Sequence, residues 1–161
     1  LGGGGFTSRL VESVRVQGGL AYSVASQFTA NKAPGTFQVS LQTKNASAGE
    51  AITRVCSEIR RIREEPVSEE ELSNAQLYLT GSFPLRLDSN TKIASFLAQV
   101  EFFQLGADYA EEYIQRIRAV TREDVLRAAR TYLHPADLRL VAVGNLRETE
   151  LPDRAPCAEG P

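Results

Sequence analysis

The sequence contains a single histidine, His134, and that scarcity excludes more chemistry than any motif present. A zinc site built on two imidazoles is impossible within one copy of the chain. A Ser-His-Asp arrangement would have to use His134, and no serine stands in the Gly-x-Ser-x-Gly elbow of one such class. His134 itself falls between the end of a helical pattern and Pro135, where an imidazole commonly caps last-turn carbonyls or meets solvent. Neither C-x-x-C nor H-E-x-x-H occurs. Cysteine is scarce too. Cys56 sits inside an apolar helical stripe and Cys157 in a polar tail, so the two can pair only if that tail folds back over the helix. The reading from sequence is a small buried hydrophobe and a free tail thiol.

Charge of one sign is also missing: 18 basic side chains stand against 20 acidic ones. A nucleic-acid partner would normally require a basic excess or stripe, so none is expected. No apolar run approaches the ~18–20 residues that span a bilayer. The opening Leu1-Gly2-Gly3-Gly4-Gly5 has neither the charged start nor the apolar core of a signal peptide. The chain does not begin with Met, so the compartment stays unknown.

What is present suits one domain with a proper core, 161 residues of which 42% are apolar. After the glycine turn, Thr7 or Ser8 caps a short helix through Arg15 or Val16, with Leu10, Val11 and Val14 inward. Gly18-Gly19 stops it. Leu20, Tyr22, Val24, Ser26 and Phe28 then alternate onto one face of a strand, and Phe37, Val39 and Leu41 onto one face of another. The turn at Ala33-Pro34-Gly35 makes them an antiparallel hairpin. From Ser47 to Leu133 the pattern is helical. Ser47 with Glu50 and Ser68 with Glu71 have the spacing of capping boxes, and Thr121 with Asp124 that of a shorter-armed one. The first long helix buries Ile52, Val55, Cys56, Ile59 and Ile62 and stops at Glu64-Glu65-Pro66. Gly81, Phe83 and Pro84 loosen the second. The third turns Ile93, Phe96, Leu97, Val100 and Phe103 inward, and two shorter helices follow. Leu138–Gly144 returns to strand. Residues 147–161 form a polar tail with too little to bury, expected to be mobile unless it docks on a neighbour.

Strands, then helices, then a strand predict an α+β fold, an antiparallel sheet with helices packed on one face. Three strands are few for so many helices, and the favoured explanation is a sheet lacking its first strands.

Within this frame the candidate chemistry is thin. Gly2–Gly5 is not followed by the Gly-Lys-Ser/Thr of a phosphate loop, and a tight turn allowing close backbone packing explains it better. Glu64-Glu65 and Glu69-Glu70-Glu71, interleaved with Arg60, Arg61 and Arg63, read as a charged outer face. More informative are Arg15, at a helix end, and Tyr22, early in the next strand, joined by a glycine turn. That turn can bring a guanidinium and a phenol to one side of the sheet. The first offers a planar donor fork for carbonyl or carboxylate oxygens, and the second a hydroxyl donor for a developing oxyanion. From spacing alone, Arg15 is equally a surface charge and Tyr22 a half-buried strand aromatic.

Leu1-Gly2-Gly3-Gly4 with Ser8-Arg9-Leu10, then Arg15 with Gly19-Leu20-Ala21-Tyr22-Ser23-Val24, resembles the second-domain signature of the pitrilysin/insulinase zinc peptidases, which include the mitochondrial processing peptidases. Ser68-Glu69-Glu70-Glu71-Leu72, Leu79-Thr80-Gly81, Val120–Val125, Tyr132-Leu133 with Pro135, and Leu140–Gly144 extend the resemblance over residues 1–146. It implies a domain of the LuxS/mitochondrial-processing-peptidase-like metallohydrolase fold, one half of a clamshell closing on peptide. The zinc lies in the other half, on an H-x-x-E-H motif of which this chain has no trace. No cofactor is therefore expected in this chain, and zinc is expected in a partner domain, fused upstream or separate. The resemblance also implies roles for the pair seven residues apart: Arg15 holds a backbone carbonyl of an extended peptide substrate, and Tyr22 binds or polarises the scissile carbonyl. Alone the chain is expected to be inactive. Pairing of two copies is a further option, and bacterial relatives favour a periplasmic or envelope location. The rival reading is a non-catalytic scaffold subunit of the same family, like the core subunits of the respiratory bc complex.

Overall fold

A computed structural model describes residues 1–3, 7–145, 147–149, 151 and 157. The chain divides into two compact units, Leu1–Pro66 with Leu126–Pro161, and Val67–Val125. The fold is α+β, with helices in both units and, among the described residues, one two-stranded antiparallel sheet.

In the first unit the predicted opening helix is wound wider than an α-helix, with π-helical turns over Val11–Gln17. Its core face is the expected one: Leu10, Val11 and Val14 are buried. Strand β1 (Ala21–Thr29) pairs with β2 (Thr36–Thr43) in a hairpin whose register sets Phe28 opposite Phe37, the rings 4.8 Å apart. Helix α1 (Ala48–Glu64) buries Ile52, Val55, Cys56, Ile59 and Ile62, the stripe that helical spacing picks out, and ends before Pro66 as predicted. The π-helix touches both β1 and α1 and is the central piece of this unit.

The glycine turn before the π-helix works by close approach. A Cβ on Gly2 would lie 2.7 Å from the Ser26 nitrogen and 2.8 Å from Leu10 Cδ1. That absence of space allows the Gly2 carbonyl to accept the Ser26 N–H at 3.0 Å and the Leu1 carbonyl the Leu10 N–H at 3.1 Å. The tight-packing reading of the glycines therefore holds at Gly2; Gly4 and Gly5 lie outside the described residues.

Three expectations for this unit are corrected. Leu138–Gly144 is not a strand: it follows a 3₁₀ turn at Pro135–Asp137 and has no ladder partner among the described residues, and Val141 and Val143 are 89% and 100% exposed. Alternating side chains make a strand only where the backbone runs alongside another strand in register. Ser47 does not cap α1 with its side chain. A 3₁₀ turn over Asn45–Ser47 brings the backbone in already coiled, and Glu50 bonds Arg54 instead. Finally, the two cysteines are not free thiols. Cys56 and Cys157 are joined in a disulfide with their Cα atoms 5.1 Å apart, and Leu138 and Leu151 pack against the cluster they form with Ile52. Cys157 and Leu151 thus sit on α1, where the tail was expected to find nothing to bury.

The second unit contains α2 (Glu69–Ser82), α3 (Asn90–Phe103), α4 (Tyr109–Arg118) and the start of α5 (Arg122–Tyr132). Its centre is aromatic: Phe83 stacks on Tyr113 at 4.3 Å and meets Phe96 edge-on at 5.8 Å. Gly81 lies within α2 without ending it, and the chain tightens only at Phe83–Arg86, where Pro84 removes a donor. In α3 the expected inward stripe is overdrawn. Phe96, Val100 and Phe103 are half-buried, while Ile93 and Leu97 face solvent. A leucine on a helix side with no packed neighbour stays wet whatever its spacing.

Ser68 and Thr121 cap their helices at the expected positions. Ser68 Oγ accepts the Glu71 N–H at 3.1 Å. Thr121 and Asp124 bond reciprocally: the Thr121 N–H and hydroxyl reach Asp124 Oδ2 at 3.1 and 2.9 Å, and the Asp124 N–H returns to Thr121 Oγ1 at 3.1 Å. Ser89 caps α3 in the same manner, accepting from the Lys92 N–H. Gln76 Nε2 donates to the carbonyls of Ile117, Arg118 and Val120 and so closes the far end of α4. These contacts separate two serines that look alike in sequence. Ser68→Ala is expected to destabilise the chain by about 1 kcal/mol and Ser47→Ala by a few tenths at most. Urea unfolding of the two variants checks this, and equal losses would contradict the difference in capping.

Candidate peptide-binding site

Arg15 and Tyr22 are both in the first unit, on either side of the turn Gly18-Gly19-Leu20, and both side chains are exposed. Three local devices fix the backbone between them. Gly19 has φ +59°, a left-handed conformation that residues with a Cβ rarely adopt, and its N–H donates to the Arg15 carbonyl at 3.1 Å. The Leu20 N–H reaches back to the Val14 carbonyl at 3.0 Å. The Thr43 hydroxyl, on the neighbouring strand, donates to the Leu20 carbonyl at 2.5 Å. Helix end, turn and strand start are thereby locked together.

The position of Tyr22 departs from the simple alternation. Ala21 pairs with Thr43 and Ser23 with Gln42, which makes Tyr22 the extra residue of a β-bulge. Ala21 and Val24 are buried while Tyr22 and Ser23 point out, so Tyr22 does not share the face of Val24 and Ser26. Without the bulge it would sit among core side chains; with it the phenol is 81% exposed. A bulge that re-aims one side chain is a recurrent device beside functional sites.

Arg54 is a residue that sequence reasoning did not select. From α1 its Nη1 donates to the Ser13 carbonyl at 3.1 Å, tying the π-helix that carries Arg15 to the long helix. Glu50 holds the guanidinium for that task, accepting from Nε and Nη2 at 3.2 and 2.9 Å. The Glu-x-x-x-Arg spacing was the available signal, but it is common on any solvated helix face.

His134 is exposed between α5 and the Pro135–Asp137 turn. Among the described residues no group of three or more His, Cys, Asp or Glu side chains is gathered in a way that could hold a metal ion. A zinc ion would need three or four such ligands converging. No helix among the described residues is long and apolar enough to cross a membrane.

Residues 1–79 match the family model described as the peptidase M16 inactive domain. The non-peptidase homolog YmxG of Helicobacter pylori is 30% identical over 149 residues, which cover 91% of this chain and 34% of that protein. The uncharacterized zinc protease SCO5738 of Streptomyces coelicolor is 28% identical over 81% of this chain and 28% of its own length. The crystal structure of a peptidase M16 inactive domain from Pseudomonas fluorescens superposes with a TM-score of 0.76 at 32% identity, covering 83% of this chain and 32% of that one. The chain thus spans about a third of the length of the curated relatives it matches. Residues 1–79 are thus a peptidase M16 inactive domain by sequence family, and the similarity to a solved M16 inactive domain extends over 83% of the chain.

Proposed function

We propose that this chain is the substrate-positioning half of a clamshell peptidase whose hydrolytic zinc site is carried by a second domain, fused upstream or separate. The observation that carries the reading is the bulge at Tyr22. It turns a strand tyrosine out of the core and leaves it exposed beside a turn locked to the Arg15 helix. A phenol held on a rigid hairpin can donate to a carbonyl oxygen as that oxygen gains negative charge, and a preorganised donor of this kind needs no rearrangement at the moment of reaction. The Arg15 guanidinium offers paired N–H groups to a backbone carbonyl of an extended peptide. Both groups bind and orient; the bond-breaking step belongs to the partner domain.

The second reading, a non-catalytic subunit that scaffolds or assembles, is favoured by the similarity to a protein named as a non-peptidase homolog. The two differ in what the chain adds to a zinc-bearing partner. Mixed with an M16 domain that carries H-x-x-E-H, the chain is expected to confer cleavage of a fluorogenic peptide that neither component cleaves alone. Formation of a stable complex with no gain in turnover would replace the positioning role with scaffolding.

A further inference from the structure

We infer that Cys56 and Cys157 are a redox modification site: a disulfide clasp, made in an oxidising compartment, that fastens Cys157 onto α1. The argument is independent of the peptidase reading. Cys56 is buried at mid-helix among Ile52, Val55 and Ile59, and Cys157 reaches it from 101 residues away with both residues only 2% exposed. Arg60, one turn further along α1, donates from Nη2 to the Cys157 carbonyl at 3.0 Å, so backbone as well as sulfur is placed on the helix. Between residues 148 and 161 the only large apolar side chain is Leu151. One half-buried leucine is little apolar surface with which to hold Cys157 against α1 without a covalent link. A covalent link acts instead on the unfolded chain, and the longer the loop it closes the larger the effect.

The chemistry balances with a disulfide as oxidant, either a small molecule such as oxidised glutathione or a dithiol-disulfide oxidoreductase. Each protein thiol loses its proton, the two sulfurs bond, and the oxidant's disulfide is reduced to two thiols. In a reducing cytosol the reverse exchange keeps such pairs open, so a chain that depends on this clasp works outside one. With both sulfurs buried, exchange has to pass through an opened tail, and the closed clasp should resist mild reductants.

The test uses the 161-residue chain refolded in a glutathione redox buffer. Alkylation without prior reduction should label no cysteine, and non-reducing peptide mapping should recover the Cys56 and Cys157 peptides linked. Cys157→Ser spares the buried helix position, and it should melt about 10 °C below the oxidised wild type. The fully reduced wild type should melt with the variant, and the variant should be indifferent to reductant. Hydrogen exchange at Ile52–Arg60 should quicken in both. Two alkylated thiols after oxidative refolding would overturn the inference. So would disulfide-linked dimers, or oxidised wild type and Cys157→Ser melting together.

Discussion

Tyr22→Phe is expected to lower kcat for peptide cleavage by the two-domain enzyme about 100-fold or more, leaving KM and thermal stability nearly unchanged. Loss of one preorganised oxyanion donor costs about 2.7–4 kcal/mol of transition-state stabilisation in enzymes where this has been isolated. The hydroxyl at position 22 is the single atom removed, and it lies on a residue that is 81% exposed. Removing it opens no cavity and strands no buried donor, so folding stability should move by less than about 0.5 kcal/mol. Arg15→Ala should act mainly on KM, because a fork on a substrate backbone carbonyl binds ground state and transition state alike. Arg15→Lys should recover only part of the loss, since an ammonium lacks the planar paired donors. Tyr132→Phe supplies the control: Tyr132 is also exposed on this unit, at 67%, but lies at the end of α5 rather than on the hairpin. The measurement is steady-state cleavage of a fluorogenic peptide with melting curves alongside. Unchanged kcat in Tyr22→Phe together with unchanged KM in Arg15→Ala would remove these residues from the site and leave the scaffold reading in possession.

The same two residues mark how far the sequence could be read. Helical spacing located five of the seven buried residues of α1, missing Ala51 and Glu58, because a long amphipathic helix repeats its signal over several turns. Two strands joined through Pro34 and Gly35 located the hairpin, and Ser68 and Thr121 announced helix starts through bonds that are local and three residues long. Arg15 and Tyr22 were recognised through resemblance; their spacing alone was ambiguous. What failed depends on parts of the chain remote in sequence. The bulge that turns Tyr22 outward is a property of two strands together, since its extra residue is defined only against Thr43 and Gln42. The Cys56–Cys157 bond requires the route of the tail, which no helical stripe encodes: a thiol and a half-cystine look identical in an apolar pattern. Leu138–Gly144 has the alternation of a strand, but ladder hydrogen bonds need a second strand alongside in register. Leu97 has the spacing of a core residue, but burial needs a neighbour.

Leu10→Ala is expected to be the most damaging single truncation in the arm that carries the candidate site, costing about 3 kcal/mol of stability. Leu10 is fully buried, at 0% exposure, at the N-cap of the π-helix that touches both β1 and α1. Its Cδ1 lies 2.8 Å from the point where a Cβ on Gly2 would stand, so the leucine and the bare glycine backbone fill one space together. Truncation to alanine empties that space. The surroundings can relax little, because the Leu1 and Gly2 carbonyls are hydrogen-bonded to the Leu10 and Ser26 N–H groups. A loss of this size corresponds to a fall of about 6–12 °C in melting temperature for a chain of this length. Leu97→Ala removes the same atoms from a side chain 58% exposed and should cost no more than about 0.5 kcal/mol. Hydrogen exchange adds a regional readout. In Leu10→Ala the amides of Val24, Ser26 and Leu20 should lose protection first, since they belong to the hairpin and turn that the leucine supports, while those of α2 and α4 should change least. If Leu10→Ala and Leu97→Ala proved equally mild, the π-helix would not be the packed centre of its unit, and the rigid mounting ascribed to Arg15 and Tyr22 would lose its physical basis.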